Sequence, residues 1–248
     1  MITEDFIHYI RHLASRLSTF LRWLVFSILS GILVGAASTA FHYCMVSANA
    51  ARAGYPGLIF FLPAAGLLIV GAYHLLHDEK DTGTNLVLSA IQSQEHIPMK
   101  MAPLIFVSTI MTHLFGGSAG REGAALQMGG SLGNTLGRLF RFDEKDQHIM
   151  IMCGMSAAFS ALFGTPMAAA IFSMEVVSVG IMHYAALVPC VISSLVAKGI
   201  ASYCGIVPEQ FPLARLPAFS IHSAVIIAFL AILCAGVSTL FCMTLHTG

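Results

Sequence analysis

Charged residues are scarce in this sequence, and their scarcity excludes most classes of soluble protein. Lys, Arg, Asp and Glu together make up 10% of the 248 residues, whereas hydrophobic residues make up 57%. A soluble domain carries about 25% charged residues, and a surface with far fewer charges exposes apolar patches that promote aggregation. The composition therefore excludes a soluble enzyme and a disordered chain.

An excess of charge of either sign is also missing. Twelve basic residues balance twelve acidic ones, so there is no basic footprint for a nucleic-acid partner. The six cysteines form no CxxC pair, which argues against a zinc site or a disulfide framework, and they are interpreted as small packing residues. We therefore expect no cofactor and no metal.

Long stretches of the chain contain no charge at all. The stretches from Leu24 to Ala51 and from Ala53 to His77 exceed the roughly 20 residues that a membrane-spanning helix needs. Met101–Gly120, Gly123–Gly137 and the pieces around Pro166 are shorter or are interrupted by Gly and Pro. Short, interrupted apolar segments are typical of broken or re-entrant helices, which lie beside protein or a polar cavity. The pattern predicts an all-α integral membrane protein of the transporter or channel type.

The N-terminal segment has helical periodicity but is not a signal peptide, because acidic residues precede any apolar run. Apolar residues spaced by three or four share one helical face: Ile2, Phe6, Ile10, Leu13, Leu17 and Phe20. Residues 1–22 therefore form an amphipathic helix, either on the membrane surface or against a cytoplasmic neighbour, and residues 23–248 form the transmembrane domain. Arg11, Arg16 and Arg22 favour a cytoplasmic N-terminus, and we expect a multi-pass protein of the cell (inner) membrane.

After this N-terminal helix, the apolar periodicity and the positions of Gly and Pro predict nine further helices. They are Leu24–Ala50, Gly57–His77, a short helix Asn85–Gln94, Met101–Phe115, Gly123–Phe140, Gln147–Leu162, Pro166–Val179, Tyr184–Tyr203 and Pro217–Leu245. Glycines recur every fourth residue at Gly129, Gly133 and Gly137 and again at Gly31 and Gly35. Such stripes let membrane helices approach closely, so these glycines are predicted to serve packing.

One charged pair interrupts the most apolar region of the chain. Residues Gly116–Ala124 read GGSAGREGA, which places Arg121 and Glu122 between two apolar stretches. Ionisable side chains at membrane depth are expensive and usually functional. A helix that starts near Glu122 directs free N–H groups and a positive dipole end at whatever lies before it, and this attracts an anion. Glu122 can occupy that place as a tethered competitor, and burial would favour its protonation and release the site.

Two further interpretations of these polar residues stay open. Arg121 and Glu122 would form a salt bridge at a helix kink if they served structure alone. A second polar loop, Asp81–Leu88 with the sequence DTGTNLVL, offers the N–H groups and hydroxyl of Gly83, Thr84 and Asn85 to an anion. Thr84 is equally explained as the N-cap of the helix that follows.

Taken together, these motifs resemble the first half of CLC anion channels and transporters. Gly120–Gly123 reads GREG, and Phe163–Phe172 reads FGTPMAAAIF, where the family has GREGP and then F-N-A-P-L-A-G. The resemblance implies two inverted halves, helix N-termini that face an anion path, and a gating glutamate. It assigns the gate to Glu122 and the anion contacts to Gly83, Thr84, Asn85, Gly120, Arg121, Gly123 and Ala124.

The sequence departs from the chloride-type pattern in two places near the anion site. The earlier loop reads GTNLV rather than GSGIP, and Ala124 replaces the proline of GREGP. Both features are more similar to the fluoride-exporting branch of the family, so fluoride is favoured over chloride as the transported halide. Thr84 takes the position of the anion-contacting serine, with Thr82 as the alternative.

Two other departures concern protons and assembly. Glu175 matches the first of two acids on the helix that Pro166 opens, but Val176 replaces the second, which puts an inner proton relay at that position in doubt. The GxFxP loop and pore tyrosine of the family's second half are not found before Gly248. We therefore expect either a fragment or a member that needs a second-half polypeptide, and the family implies a homodimer.

Two rival functions remain. Residues Gly116–Gly120 fit the GxSxG pattern of serine hydrolases, with Ser118 as nucleophile and His183, His222 or His246 as base. Alternatively, the chain is a membrane fragment that transports nothing. His113, on an apolar helix, is interpreted as a packing histidine whose polar atoms are satisfied. We predict that the protein transports an anion, with proton coupling as an option, and that it is not an enzyme.

Overall fold

The helical class that the sequence predicts is confirmed. The computed structural model describes residues 2–76, 87, 97–177, 183–207 and 220–247, and no strand lies within these ranges. The helices there are α1 (Ile2–Gly54), a 3-10 helix (Pro56–Phe61), α2 (Leu62–Leu75), α3 (Met101–Leu114), α4 (Arg121–Leu139), α5 (Glu144–Phe163), α6 (Pro166–Glu175), α7 (Tyr184–Tyr203) and α8 (Ile221–Thr247). The chain divides into two compact units, Met1–Pro208 and Glu209–Gly248.

The first helix is longer than the sequence predicts. It runs without a break from Ile2 to Gly54, so the N-terminal segment and the first span share one helix. No Gly or Pro stands between Ile2 and Gly31 to end a helix there, which explains the continuity. The second predicted helix is in turn divided, because a 3-10 turn precedes α2 and Pro63 lies in the first turn of α2.

Within the described ranges, four helices are long and apolar enough to cross a membrane. They are Arg16–Gly54, Pro56–Leu75, Tyr184–Tyr203 and Ile221–Thr244. In contrast, α6 has 10 residues, and at about 1.5 Å per residue it covers roughly half of the hydrocarbon thickness. The predicted mixture of full spans and short, interrupted helices is therefore present.

The glycine stripe of α4 packs against α5, as predicted. A Cβ added to Gly129 would overlap the carbonyl oxygen of Gly154, and one added to Gly154 would overlap the carbonyl oxygen of Gly129. A Cβ on Gly133 would overlap the carbonyl oxygen of Met150. The two backbones are therefore in direct contact over this length, which only glycine permits.

Helix α7 joins this pair to α1. A Cβ on Gly31 would lie 2.7 Å from the carbonyl oxygen of Ser193, and one on Gly35 would lie 2.8 Å from the Cα of Ala197. On its other side, α7 is tied to α5 by buried hydroxyls: Ser156 donates to the carbonyl of Cys190 at 2.9 Å, and Ser160 donates to that of Ser194 at 2.8 Å. Small residues and interhelical hydrogen bonds therefore hold the bundle together.

A cluster of aromatic and charged side chains fixes one end of the α4–α5 pair, which we call the Arg22 end. Arg22 donates to Asp146 at 2.7 Å, and its guanidinium lies 4.7 Å from the ring centroid of Phe142. Asp143 caps α5 by accepting from the backbone N–H of Asp146 at 2.9 Å. Since α4 has 19 residues, its N-terminus lies about 28 Å away from this end.

The polar segment between α2 and α3 falls mostly outside the described residues. The predicted helix Asn85–Gln94 lies there except for Val87, which is fully buried. A Cβ on Gly130 would lie 2.5 Å from a Val87 methyl group, so Val87 packs on α4. The chain meets α4 again at Ile97 and Pro98, whose carbonyls accept hydrogen bonds from Asn134 at 2.9 Å and Ser131 at 3.0 Å.

Candidate functional site: the loop and first turn of α4

A six-residue loop, Phe115–Gly120, connects α3 to α4 and sets where α4 begins. Its first half folds back on α3, because the N–H of Gly117 donates to the carbonyl of Thr112 at 2.8 Å. Gly116 has φ 84°, a left-handed conformation that favours glycine. From the last turn of α3, His113 reaches the second half of the loop: its Nε2 lies 3.0 Å from the carbonyl oxygen of Ala119.

Helix α4 begins at Arg121, next to the glutamate that the sequence singles out. Its N-cap residue, Gly120, is extended with φ −75° and ψ 134°, and no side chain caps the helix. The N–H groups of the first turn therefore have no acceptor from the helix itself. The prediction that a helix starts beside Glu122 is confirmed.

The carboxylate of Glu122 turns back toward the start of the helix. Its Oε2 lies 3.3 Å from the position that a Cβ on Gly120 would take. Helical side chains point toward the N-terminus, so the negative group lies before the positive end of the helix dipole. This is the arrangement that an anion would replace.

The burial of Glu122 that the sequence led us to expect is not found in this chain. Glu122 and Gly120 are exposed, whereas α4 is buried from Ala124, which is 8% exposed, to Gly130. The prediction of a buried carboxylate failed because the residues of this chain cover the middle of α4 but leave its first turn open.

The structure brings part of the predicted anion site together. Gly120, Arg121, Gly123 and Ala124 all lie in the N-cap and first turn of α4, and Arg121 and Gly123 are half-buried. No salt bridge joins Arg121 to Glu122, both of which the structure describes. The other predicted contacts, from Thr82 to Asn85 and including Gly83 and Thr84, lie outside the described residues.

A second cation lies beside the loop at this end of the molecule. A Cβ on Gly116 would lie 3.0 Å from the Nε of Arg52, so the guanidinium packs against the loop. Arg52 also lines an open cavity of about 550 Å³, together with Asn49, Ala53, Pro56 and Ile59. Arg52 is the charged residue among these five, so this part of the cavity wall carries positive charge.

The acid that the sequence places on α6 lies at the C-terminal end of that helix. Glu175 is the last residue of α6 and is exposed, and Val176 beside it is half-buried and apolar. Among the described residues, no group of three or more His, Cys, Asp or Glu is arranged to hold a metal ion.

The geometry gives little support to a hydrolase at Ser118. His183 lies close enough to His148, in α5, for their charges to interact. His148 belongs to the Arg22 end, whereas Ser118 precedes the opposite end of α4, about 28 Å away. His113 is the histidine nearest to Ser118 along the chain, but its Nε2 is hydrogen-bonded to the carbonyl oxygen of Ala119.

The structure places two residues against the loop before α4 whose contacts the sequence does not specify. His113 is predicted as a satisfied packing histidine, and its hydrogen bond to the Ala119 carbonyl agrees with a satisfied side chain. Arg52 is not singled out by the sequence prediction. A signal did exist for each of them. His113 stands in the last turn before two consecutive glycines, and Arg52 is the one charge between two long apolar stretches.

Comparisons with known proteins agree with this architecture. A family model described as "Voltage gated chloride channel" matches residues 76–248. A chloride/fluoride channel protein of Pseudomonas syringae pv. tomato is 35% identical over 226 residues, which cover 91% of this chain and 50% of that protein. The H(+)/Cl(-) exchange transporter ClcA of Cronobacter sakazakii is 30% identical over 67% of this chain and 39% of its own length.

Solved structures show the same fold. The crystal structure of a CLC-type fluoride/proton antiporter superposes with a TM-score of 0.76 at 35% identity, covering 82% of this chain and 51% of that one. A slow cyanobacterial Cl-/H+ antiporter gives a TM-score of 0.71 at 21% identity, and it supports the fold alone. This chain therefore spans about half the length of the relatives it matches. The interrupted helices, the GREG turn at the start of α4 and these matches place the chain in the voltage gated chloride channel (CLC) family.

Proposed function

We propose that this chain forms one half of a CLC-type transport unit that moves a halide past the N-terminus of α4, with Glu122 as the gate. The observation that carries the proposal is the position of the Glu122 carboxylate, which turns back over Gly120 in front of uncapped N–H groups. A small anion and this carboxylate compete for the same donors. Protonation of Glu122 removes its charge, so the carboxyl group no longer competes and the halide can bind the N–H groups at the start of α4.

Fluoride is the proposed halide, with chloride as the alternative. The support is the 35% identity to proteins described as a chloride/fluoride channel and as a fluoride/proton antiporter, against 30% to a chloride exchanger. Ala124 in place of the proline of GREGP adds to this support, as does the loop that contains Gly83, Thr84 and Asn85.

Proton coupling is proposed to pass through Glu122. The relatives named as a fluoride/proton antiporter and as an H(+)/Cl(-) exchange transporter move protons against halides. Val176 cannot carry a proton. Glu175 ends α6 and does not belong to the first turn of α4, so we assign it no part in the gate.

The proposed setting is a cell (inner) membrane with the N-terminus in the cytoplasm and a homodimeric assembly that includes a second-half polypeptide. Arg22 and Trp23 lie at one end of α4, which suits an interface anchor, and Arg52 lies at the other. The Glu122 end would then face the outside. The loop beside Arg52 would receive anions first.

The test is flux through liposomes that contain the complete transport unit. Fluoride and chloride efflux and the accompanying proton flux are measured for the wild type, for Glu122→Gln and for Glu175→Gln as the matched control. We expect Glu122→Gln to abolish the proton flux, whereas Glu175→Gln retains it. The neutral amide cannot exchange a proton, and it removes the charge that competes with the anion.

Four outcomes would count against the proposal. Unchanged proton coupling in Glu122→Gln would remove the gate, and equal loss in Glu175→Gln would place the proton path elsewhere. Absence of halide flux in the wild-type unit would favour the alternative of a membrane fragment that does not transport. A chloride flux well above the fluoride flux would reverse the proposed selectivity.

A further inference from the structure

The contact between His113 and the loop before α4 has a defined chemistry. The Nε2 of His113 lies 3.0 Å from the carbonyl oxygen of Ala119. A carbonyl oxygen only accepts hydrogen bonds, so Nε2 must carry the proton and donate. The contact is therefore a directed hydrogen bond that a purely apolar packing residue cannot make.

This hydrogen bond acts where the loop is otherwise weakly held. The first half of the loop is fixed by the Gly117-to-Thr112 bond and by the turn at Gly116. In the part of the chain that the structure describes, no other side-chain hydrogen bond reaches Ser118, Ala119 or Gly120. His113 thus links the rigid end of α3 to the backbone that enters α4.

The linked carbonyl lies close to the proposed gate along the chain. Ala119 immediately precedes the N-cap Gly120, and Glu122 is three residues further on. Because Gly120 has no side chain and is not capped, its own conformation is weakly restrained. The direction of the Ala119 peptide therefore affects where the first turn of α4 presents the Glu122 carboxylate.

We propose that His113 is a positioning residue for the anion gate: its Nε2–H, bonded to the Ala119 carbonyl, holds the backbone that aims Glu122 at the start of α4. The functional part rests on the proposed role of Glu122. The structural part, that the His113 bond orders the loop, stands independently of transport.

The experiment compares three substitutions of His113 in the complete transport unit. His113→Gln keeps an N–H donor four bonds from Cα, as the histidine Nε2 is, whereas His113→Asn places its donor one bond shorter and His113→Leu has none. The matched control is His222→Leu, since His222 is an exposed histidine on α8. Two readouts are taken: amide hydrogen exchange of the peptide that covers residues 115–122, and the ratio of proton to halide flux.

We expect loop exchange to rise about fivefold in His113→Leu and His113→Asn, the factor that the loss of one net hydrogen bond gives, and to stay at the wild-type rate in His113→Gln and His222→Leu. The flux ratio should fall in the first two variants and be retained in the other two. In a Glu122→Gln background, His113→Leu should have no further effect on halide flux, because it acts through Glu122.

Several results would overturn the inference. Equal behaviour of His113→Gln and His113→Leu would reduce His113 to packing. Faster loop exchange with an unchanged flux ratio would show that loop order does not reach the gate. If the wild-type unit carries no halide, the exchange measurement still decides whether His113 orders the loop, and the transport proposal fails separately.

Discussion

The first turn of α4 and its middle belong to the same helix but are built in opposite ways. In the middle, Gly129 and Gly133 press the backbone of α4 onto that of α5, and every residue from Ala124 to Ser131 is buried. In the first turn, Gly120 and Glu122 are exposed and no side chain caps the helix. The comparison indicates that the helix body supplies rigidity while its tip keeps its donors available.

This division suits a site that must exchange its occupant. If the whole helix moved, the N–H groups of its first turn would no longer point at the anion. If a side chain capped the helix, those N–H groups would not be free to bind an anion. Substitutions in the body should therefore change stability, and substitutions at the tip should change transport with little change in stability. The following predictions test that contrast.

The largest effect is expected from Gly133→Ala. The added methyl group would overlap the carbonyl oxygen of Met150, which is backbone and cannot move aside cheaply. Thermal melting of the protein in detergent should show that the free energy of unfolding falls by about 3 kcal/mol or more. The matched control is Gly199→Ala, also within a helix but with nothing within 4 Å of the added atom. It should be neutral or stabilising by up to about 1 kcal/mol. Equal effects of the two variants would refute the close α4–α5 contact.

A smaller loss is expected from Asn134→Leu. Asn134 is 4% exposed, donates to the Ile97 carbonyl at 2.9 Å and accepts from Gln147 at 2.7 Å. Leucine would leave both partners unsatisfied, at a cost of about 2 kcal/mol in the free energy of unfolding. Gln147→Leu, which removes only one of these bonds, should cost less. A larger loss in Gln147→Leu than in Asn134→Leu would contradict this order.

A change of about 1 kcal/mol is expected from Arg22→Gln at the far end of α4. The ion pair with Asp146 is partly exposed, with 46% and 23% of the two side chains accessible, so its contribution is small and falls with added salt. The stacking of the Arg22 guanidinium on the Phe142 ring adds a cation–π contribution to the free energy of unfolding, which salt screens less. Melting at low and high salt measures both parts. Arg16→Gln, with an exposed side chain, serves as the control and should show neither effect.

The smallest effect on stability is expected from Glu122→Gln. Its side chain is exposed and forms no salt bridge with Arg121, so the melting free energy should stay within about 0.5 kcal/mol of the wild type. The same variant is the one expected to lose proton flux. Strong destabilisation by Glu122→Gln would mean that the tip is part of the packed structure, and the contrast between tip and body would be lost.

Much of the fold can be predicted from local patterns. The bounds of α7, Tyr184–Tyr203, coincide with the sequence prediction, and α3 ends one residue earlier than predicted. The packing role of Gly129 and Gly133 is also confirmed, since a stripe of glycines has few other uses in a membrane helix. The continuous α1 and the 3-10 turn before α2 were missed because no residue near position 22 marks a helix end and Pro63 is compatible with either arrangement.

The site could be located from the sequence but not constructed from it. The GREG motif identifies where α4 begins, because the change from glycines to a helical apolar pattern is local. The contacts of His113 and Arg52 with the loop depend on the path of six loop residues and on how α1 lies beside α3. The exposure of Glu122 depends on which surfaces this chain covers, and no pattern within the motif encodes that.

The reciprocal contact between Gly129 and Gly154 limits how this protein can evolve. At each position, the atom that an added Cβ would overlap most closely is the backbone carbonyl oxygen of the other glycine. A mutation at one of them cannot be rescued by changing the side chain of the other, since every residue carries that carbonyl. Genetic suppressors of such a mutation would have to shift a whole helix from a distance. Both positions at this crossing are therefore expected to tolerate almost no substitution.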